Sequence, residues 1–396
     1  MSVDTIAIVG TGVAGATAAL TLRDAGFDGR VLLIGEEPHA PYRRPPLSKD
    51  VLRGSMPDER TRLRPAEHWA TKGVELRTGA RVTGIAADAH EIVLLCGETL
   101  GYDRLLLATG GRPRTLPVTD GVPGVFTLRT LGDVPALRDA LTAGTRVLVV
   151  GAGLVGAEVA ASARAMDCAV TVLEVERTPL ARVLPPVIGV RYAGLHRAAG
   201  VDLRTGTGLK SLAHNGSELV AIDTDGAESH ADVVVVAVGM VPNTALAETA
   251  GIEIDRGPVG GITVDSQGAT SAPDVYAAGD VANLPNRVLG GRQRVEHWMH
   301  AQDHGAATAR AMLGQGTPFD VVPWCWSDQH GVTVHITGWP DAGDEVRLDG
   351  DLDGMNFAAE FRRDGKLVGA VGVNRAAQIR LLRKEIAART SSEAIA

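Results

Sequence analysis

A repeat narrows the fold of this chain more than any other feature. Thr5-Ile-Ala-Ile-Val-Gly10-Thr-Gly12-Val-Ala-Gly15 leads into a small-residue segment of helical periodicity that ends at Gly26, and Arg30-Val-Leu-Leu-Ile34 then reads as a buried strand. The same order returns at Gly151, 141 residues after Gly10, as Arg146-Val-Leu-Val-Val150, the glycines Gly151, Gly153 and Gly156, a helix through Ala165, and Ala169-Val-Thr-Val-Leu173. An acid follows the second strand of each copy, Glu36 in the first and Glu174 in the second. The pattern has a mechanical reading: one glycine makes the turn, the next lets backbone approach a pyrophosphate, and the third lets helix pack on strand. The helix N-terminus adds N–H donors and a positive dipole end, and the acid accepts ribose hydroxyls. Two copies imply two dinucleotide sites, typically a tightly held FAD first and an exchangeable nicotinamide second.

The remaining segments fit two such units and one more body. Tyr102 to Gly110 and Ala231 to Gly239 are matching strand-and-turn segments, each predicted to return to its own sheet, and Ala272 to Asp280 is another short strand ending in Gly-Asp. From Phe319 the texture alternates: Val332 to Thr337, Met355 to Phe361 and Leu367 to Val373 read as an antiparallel meander, and Asn374 to Arg389 as a basic closing helix. The fold class expected is α/β, with two Rossmann-like dinucleotide-binding domains plus a smaller α+β C-terminal domain.

Composition excludes other classes. With 45 % apolar residues in 396, disorder is excluded as the main state. A net charge of -8 argues against a nucleic-acid binder, which neutralises phosphate with basic residues. Cys96, Cys168 and Cys325 form no CxxC or CxxxxC pair, so neither a disulfide framework nor a local redox dithiol is available, and a reducing cytoplasm fits. The chain runs from Met1 straight into Ile6 without leader features, and no run reaches the ~20 apolar residues of a membrane span. A cytoplasmic protein without membrane insertion is expected.

Pro41-Tyr-Arg-Arg-Pro-Pro-Leu-Ser-Lys49 resembles the P-Y-x-R-P-P-L-S-K signature of the FAD-dependent ferredoxin reductases that serve bacterial cytochrome P450 and ring-hydroxylating oxygenase systems. The resemblance extends over the chain, through Ala108-Thr-Gly110, Gly151 to Glu158, Val241-Pro-Asn243, Tyr276 to Asp280, Arg294-Val-Glu-His-Trp298 and Pro323-Trp-Cys-Trp-Ser-Asp-Gln329. It implies a discontinuous FAD domain, 1–113 with 246–318, interrupted by an NAD domain, 114–245, and followed by a C-terminal domain, 319–396. It also implies site roles. Gly10, Gly12, Gly15, Glu36, Val82, Ala108, Thr109 and Asp280 would bind FAD, with Asp280 on the ribityl chain and Arg44 and Arg112 toward the phosphates or adenine. Glu296, His297 and Trp298, with Trp326, would line the flavin. Lys49 would lie against its ring, paired with Glu158 in the first turn of the second nucleotide helix. Gly151, Gly153, Gly156 and Glu174 would hold NADH. The Glu174 carboxylate takes both ribose hydroxyls and repels a 2′-phosphate, although Arg177 softens that rejection.

His297, His300 and His304 fall at i, i+3 and i+7, one helix face, but the third is a further turn away and no metal is expected. Residues 37 to 60 contain no cysteine, which separates the chain from flavoenzymes that use a peroxidatic thiol or a Cys pair beside the flavin. Cys96 and Cys168 read as small apolar strand residues, and Cys325 as a packed one. The resemblance makes Lys49, Glu158 and Trp326 the candidate catalytic set. The activity implied is transfer of electrons from NADH through FAD to a small acidic [2Fe-2S] or similar ferredoxin. The alternatives are a rubredoxin or quinone reductase on the same scaffold, and an apoptosis-inducing-factor-like flavoprotein that NADH switches for partner binding. A monomer or weak homodimer is expected. Because a chain of charge -8 repels an acidic partner, positive charge has to be gathered locally; the candidates are Arg287, Arg292 and Arg294, and Arg380, Arg383, Lys384 and Arg389 on the terminal helix.

Overall fold

The computed structural model describes residues 3–287 and 290–393, the side chains of 389–393 excepted. The chain forms two compact units, one of Met1–Arg43, Thr61–Arg112 and Pro242–Trp324, the other of Arg44–Arg60, Pro113–Val241 and Cys325–Ala396.

In the first unit, β1 (Thr5–Val9), α1 (Val13–Asp24) and β2 (Arg30–Ile34) form the expected βαβ, with Ile6 opposite Val31 in a parallel ladder. Strands β3 (Val74–Arg77) and β4 (Arg104–Leu107) extend the sheet on either side. The second unit repeats this with β5 (Val125–Phe126), β6 (Arg146–Val150), α2 (Leu154–Ala165), β7 (Ala169–Glu174), α3 (Pro186–Ala198), β8 (Asp202–Thr205) and β9 (Val233–Val236). A later strand of the first unit, β10 (Val275–Ala277), pairs with β4. The two sheets then have the same order, β10-β4-β1-β2-β3 and β5-β9-β6-β7-β8, but the edge strand comes from downstream in one and upstream in the other. Ile6, Ala7 and Ile8, like Val147, Leu148 and Val149, are buried on both faces, as central parallel strands require. Each unit also carries a three-stranded antiparallel meander, at 82–101 just before β4 and at 209–231 just before β9, which the sequence reading did not anticipate. Cys96 lies exposed in a turn of the first of these, not in a strand: no apolar neighbour encloses it at a tip where Leu95 and Gly97 are also exposed.

Helix α4 (Trp298–Ala311) packs on α1 in the first unit, where Gly305 lets it approach: a Cβ there would strike the Ala14 carbonyl. In the second unit β11 (Trp324–Gln329), β12 (Val332–Gly338), β13 (Glu345–Asp351), β14 (Asn356–Arg363) and β15 (Lys366–Val373) form an antiparallel sheet in the order β11-β12-β15-β14-β13, closed by α5 (Ala376–Glu393). The expected α+β body is there, with β13 an added edge strand. Every residue of β13 is exposed, so no apolar alternation marks it in the sequence. Helix α5 starts at Ala376 because Asn374 takes a positive φ of 58°. One core joins this sheet to α3, through Tyr192, Ile188, Phe357, Phe361 and Val371.

Candidate functional site

In the first unit the glycine turn is built as a cradle. Gly10 has φ 117°, and a Cβ there would strike the carbonyl of Ala108. Gly15 lies on the Gly10 carbonyl, where a Cβ would again collide. Gly12 is the reverse: a Cβ on it would meet nothing within 4 Å, and as N-cap it supplies α1 with no side-chain cap. No acidic residue stands in the first turn of α1. Its leading N–H groups therefore face open space, the condition for an anion. Glu36 lies beyond β2, two-thirds exposed, with Arg81 Nε at 3.9 Å. Val82 is buried at the start of the 82–86 strand and packs with Leu94 and Leu107.

After β4, Ala108 is buried and Thr109 is clamped by a residue to which the sequence reading gave no role. Thr109 Oγ1 donates to the Asn243 carbonyl at 2.8 Å, Asn243 Nδ2 donates to the Thr109 carbonyl at 2.9 Å, and Arg112 Nη1 reaches Asn243 Oδ1 at 3.2 Å. Asp280 sits in the turn of residues 279–281, where Gly279 (φ 79°) donates its N–H to His304 Nδ1 at 3.3 Å. His297 is the N-cap of α4, with φ -112°, so only His300 and His304 of the three histidines are on the helix itself. His304 stacks on Phe319 at 4.8 Å, and burial pushes both His297 and His304 down to about 4, leaving them neutral. The buried Nδ1 of His297 has no hydrogen-bond partner among the described residues, an atom suited to a polar group of a ligand. An FAD pyrophosphate fits the open α1 terminus, and this orphaned atom fits a second contact. Trp298 follows at the first position of α4.

The basic patch expected ahead of α4 is not a free surface charge. Arg294 is 11 % exposed, pairs with Glu296 at 2.6 Å and donates to the Val259 carbonyl. Arg292 donates to the carbonyls of Val264 and Asn283, and Arg287 is paired with Asp320. Sequence shows the charges but not the acceptors that fold around them.

The second unit repeats the cradle. Gly151 (φ 99°) lies against the Ala237 carbonyl, Gly156 against the Gly151 carbonyl, and Gly153, the uncapped N-cap of α2, has nothing within 4 Å. Glu174 is 8 % exposed and folds back to accept from Ala152 N at 2.5 Å and Glu176 N at 2.8 Å. It thereby holds the glycine loop as well as standing at the strand end.

The same unit contains a buried ion pair. Pro45–Ser48 forms a short 3₁₀ turn that presents Ser48 and Lys49, both buried, while Arg44 donates to the Arg129 carbonyl at 2.6 Å. Lys49 Nζ lies 3.0 Å from Glu158 Oε1, 3.5 Å from Asp328 Oδ2 and 5.9 Å from the centroid of the Trp326 ring. Ser327 Oγ donates to Glu158 Oε1 at 2.6 Å and Ser48 Oγ to Oε2 at 2.5 Å, and Ser162 Oγ fixes the Ser48 carbonyl at 2.7 Å. Burial pushes the Glu158 carboxyl up, and Lys49, Ser327 and Ser48 pull it back. Since α2 begins at Leu154, Glu158 is in its second turn, not its first; the helix dipole has faded there, and the ammonium and two hydroxyls hold the charge instead. Both serines stood in the quoted motifs, but only folding brought them to one carboxylate. Cys325 is buried and its thiol is pushed up to about 12, so it supplies no thiolate.

Comparison with known proteins gives a consistent picture. Residues 4–305 match the pyridine nucleotide-disulphide oxidoreductase family and residues 324–396 the reductase C-terminal family. The chain is 40 % identical over 371 residues to the benzene 1,2-dioxygenase system ferredoxin–NAD(+) reductase subunit of Pseudomonas putida, covering 93 % of this chain and 89 % of that one. It is 35 % identical over 379 residues to putidaredoxin reductase of Pseudomonas putida, covering 94 % and 89 %. Among solved structures, the reductase of the covalent putidaredoxin reductase–putidaredoxin complex superposes with a TM-score of 0.92 at 34 % identity, covering 97 % of this chain and 93 % of that one. The ferredoxin reductase for the CYP199A2 system from Rhodopseudomonas palustris gives 0.90 at 36 %, covering 95 % and 92 %.

Proposed function

The chain belongs to the pyridine nucleotide-disulphide oxidoreductase family, and we propose that it is an FAD-dependent NADH:ferredoxin reductase that supplies a P450 or Rieske-type oxygenase. The observation that carries this is the pairing of two open glycine cradles with a buried Lys49–Glu158 cluster in a chain whose cysteines form no dithiol. Bound FAD supplies the chemistry that links a two-electron donor to one-electron acceptors.

Each residue has a definite task. Gly10, Gly12, Gly15 and the N–H groups of α1 bind the FAD pyrophosphate, with Glu36 on the ribose, and Thr109, Arg112, Asp280 and His297 complete that site. Gly151, Gly153, Gly156 and the N–H groups of α2 bind the NADH pyrophosphate. Glu174 takes the ribose hydroxyls and holds the loop that carries those glycines. Lys49 would supply positive charge to a bound flavin, and Glu158 holds the ammonium in place. Trp326 covers the Lys49 side chain with an aromatic face that excludes water. Cys325 is a lone thiol, already at the reduced level and without a disulfide partner, so it has no capacity to accept electrons. That partner is a small acidic iron–sulfur ferredoxin, met in the cytoplasm by a monomer or weak homodimer. The positive charge that steers it comes from α5, where Arg380 and Lys384 are exposed; the side chain of Arg389 lies outside the described residues.

Anaerobic titration of the purified yellow protein with NADH, followed by ferredoxin-dependent cytochrome c reduction, tests this reading. One equivalent of NADH should bleach the flavin fully, and turnover should exceed about one per second with an acidic ferredoxin. Salt should raise the ferredoxin KM while leaving NADH-to-ferricyanide turnover nearly unchanged. Slow turnover with every ferredoxin and a long-lived reduced complex with NAD would instead mark an NADH-switched binding protein.

A further inference from the structure

A buried hydrogen-bond chain leaves the Lys49–Glu158 pair on the side away from the ammonium, and none of the tasks above uses it. Cys325, Ser327 and Gln329 alternate with half-buried neighbours on β11, so Ser327 and Gln329 share its buried face. Gln329 Nε2 lies 2.9 Å from Ser327 Oγ, and Gln329 Oε1 lies 2.8 Å from Nε2 of His196, which is 2 % exposed on α3. His196 Nδ1 in turn lies 3.1 Å from Nε2 of His330, a half-buried residue with φ 50° in the turn after β11.

Proton bookkeeping fixes the direction of every link. Lys49 only donates, so the Glu158 carboxylate must accept from it and from both serines. Ser327 has one proton, which goes to Glu158, so it must accept from Gln329. The amide therefore presents its NH₂ to Ser327 and its oxygen to His196. Nε2 of His196 must then carry hydrogen, and its Nδ1, on a neutral ring, must accept from Nε2–H of His330. Burial pushes both histidines down, His330 to about 4, so the neutral rings this requires are the ones present at neutral pH. All links donate toward Glu158.

We propose that His196 and Gln329 are positioning residues: they set the direction of the Ser327 hydroxyl and so keep it donating to Glu158, which holds Lys49. The proposal rests on the reading that the Lys49–Glu158 pair serves the redox reaction, but the direction of the chain can be measured without turnover. The charged and titratable groups around it are few. Lys49 and Cys325 face the carboxylate, Asp328 faces the Lys49 ammonium, and Arg164 faces His330.

The decisive experiment uses the FAD-loaded full chain in two arms. Nitrogen-15 NMR of the histidine rings at pH 7 should find His196 as the Nε2–H tautomer. An Nδ1–H tautomer or an imidazolium would overturn the chain. Infrared titration of the carboxyl band that disappears in Glu158→Gln should then show Glu158 protonating about 0.5–1 pH unit higher in His196→Phe and in Gln329→Met, the loss of one neutral hydrogen bond. His196→Gln, which returns an N–H donor, should recover most of the shift. A merely structural role would lower the melting temperature of the variants and leave the carboxyl titration in place, and that result would also overturn the proposal. If the variants do not fold, the tautomer in the unaltered protein decides. If the tautomer and the titration behave as expected but no ferredoxin is reduced, the chain stands and the reading of the protein as a ferredoxin reductase fails.

Discussion

Replacing Lys49 with methionine tests whether the buried pair is ionised. Glu158 is 6 % exposed and would lose the opposing charge 3.0 Å away while keeping two serine donors. Removing one partner of a buried pair costs about 3–5 kcal/mol if the other stays charged. The carboxyl has an alternative: it can take up a proton, at about 1.4 kcal/mol per pH unit above its usual value near 4.3. Protonation therefore limits the loss to about 4 kcal/mol at pH 7 and about 1 kcal/mol at pH 5. The sign follows from linkage. In the variant the folded carboxyl titrates far above the unfolded one, so stability is complete below the unfolded pKa and is lost as pH rises toward the folded one. Denaturant unfolding of variant and unaltered protein, compared at each pH between 5 and 7.5 by far-ultraviolet circular dichroism, measures the difference and cancels other groups. The deficit should grow with pH, and Lys49→Met combined with Glu158→Gln should remove most of that growth. An equal deficit at pH 5 and 7.5 would show that no buried carboxylate was being compensated, and the electrostatic account of the site would be wrong.

Lys49→Ala should keep FAD bound, since the cradle lies elsewhere, but slow flavin bleaching by saturating NADH in stopped flow; an unchanged rate removes Lys49 from the chemistry. Gly12→Ala and Gly153→Ala put a methyl into space that no protein atom fills, so apoprotein melting should not move, while affinity should fall at least about tenfold for FAD in the first and NADH in the second. Glu174→Ala should weaken NADH by about 1.5–3 kcal/mol and narrow its preference over NADPH, read by titration with both; equal losses for the two would leave Glu174 only its loop contact to Ala152. His304, pushed down to about 4 by burial, is neutral in the folded chain while its unfolded counterpart protonates near 6.5. Stability should thus fall from pH 6.5 to 4 by about 1.4 kcal/mol per unit from this group, and His304→Met should flatten that slope in urea titrations at stepped pH.

How much was legible in the sequence differed by element. Both βαβ units could be read because their signals are local: a buried strand, glycines at fixed offsets and an acid at the next strand end. The meander of the C-terminal body was legible where apolar residues alternate, but β13 was not, since none of its residues is buried. Lys49 and Glu158 could be named from motifs, whereas the serines that share the carboxylate with Lys49 could not be assigned. Ser48 and Ser327 are 279 positions apart, from 48 to 327, and nothing in either string says that they meet.

What the amino-acid order determined by itself was therefore the fold class, the two nucleotide cradles and the absence of a dithiol, because backbone conformation and residue inventory are properties of short segments. Tertiary structure decided the charges. Arg292 and Arg294, basic residues in the sequence, are taken up by carbonyls and Glu296; Glu174 is turned onto its own loop; and Glu158 is wired through Ser327 and Gln329 to His196. The energy and direction of a polar side chain depend on its partners and on the water excluded around them, and those are set only when distant segments pack.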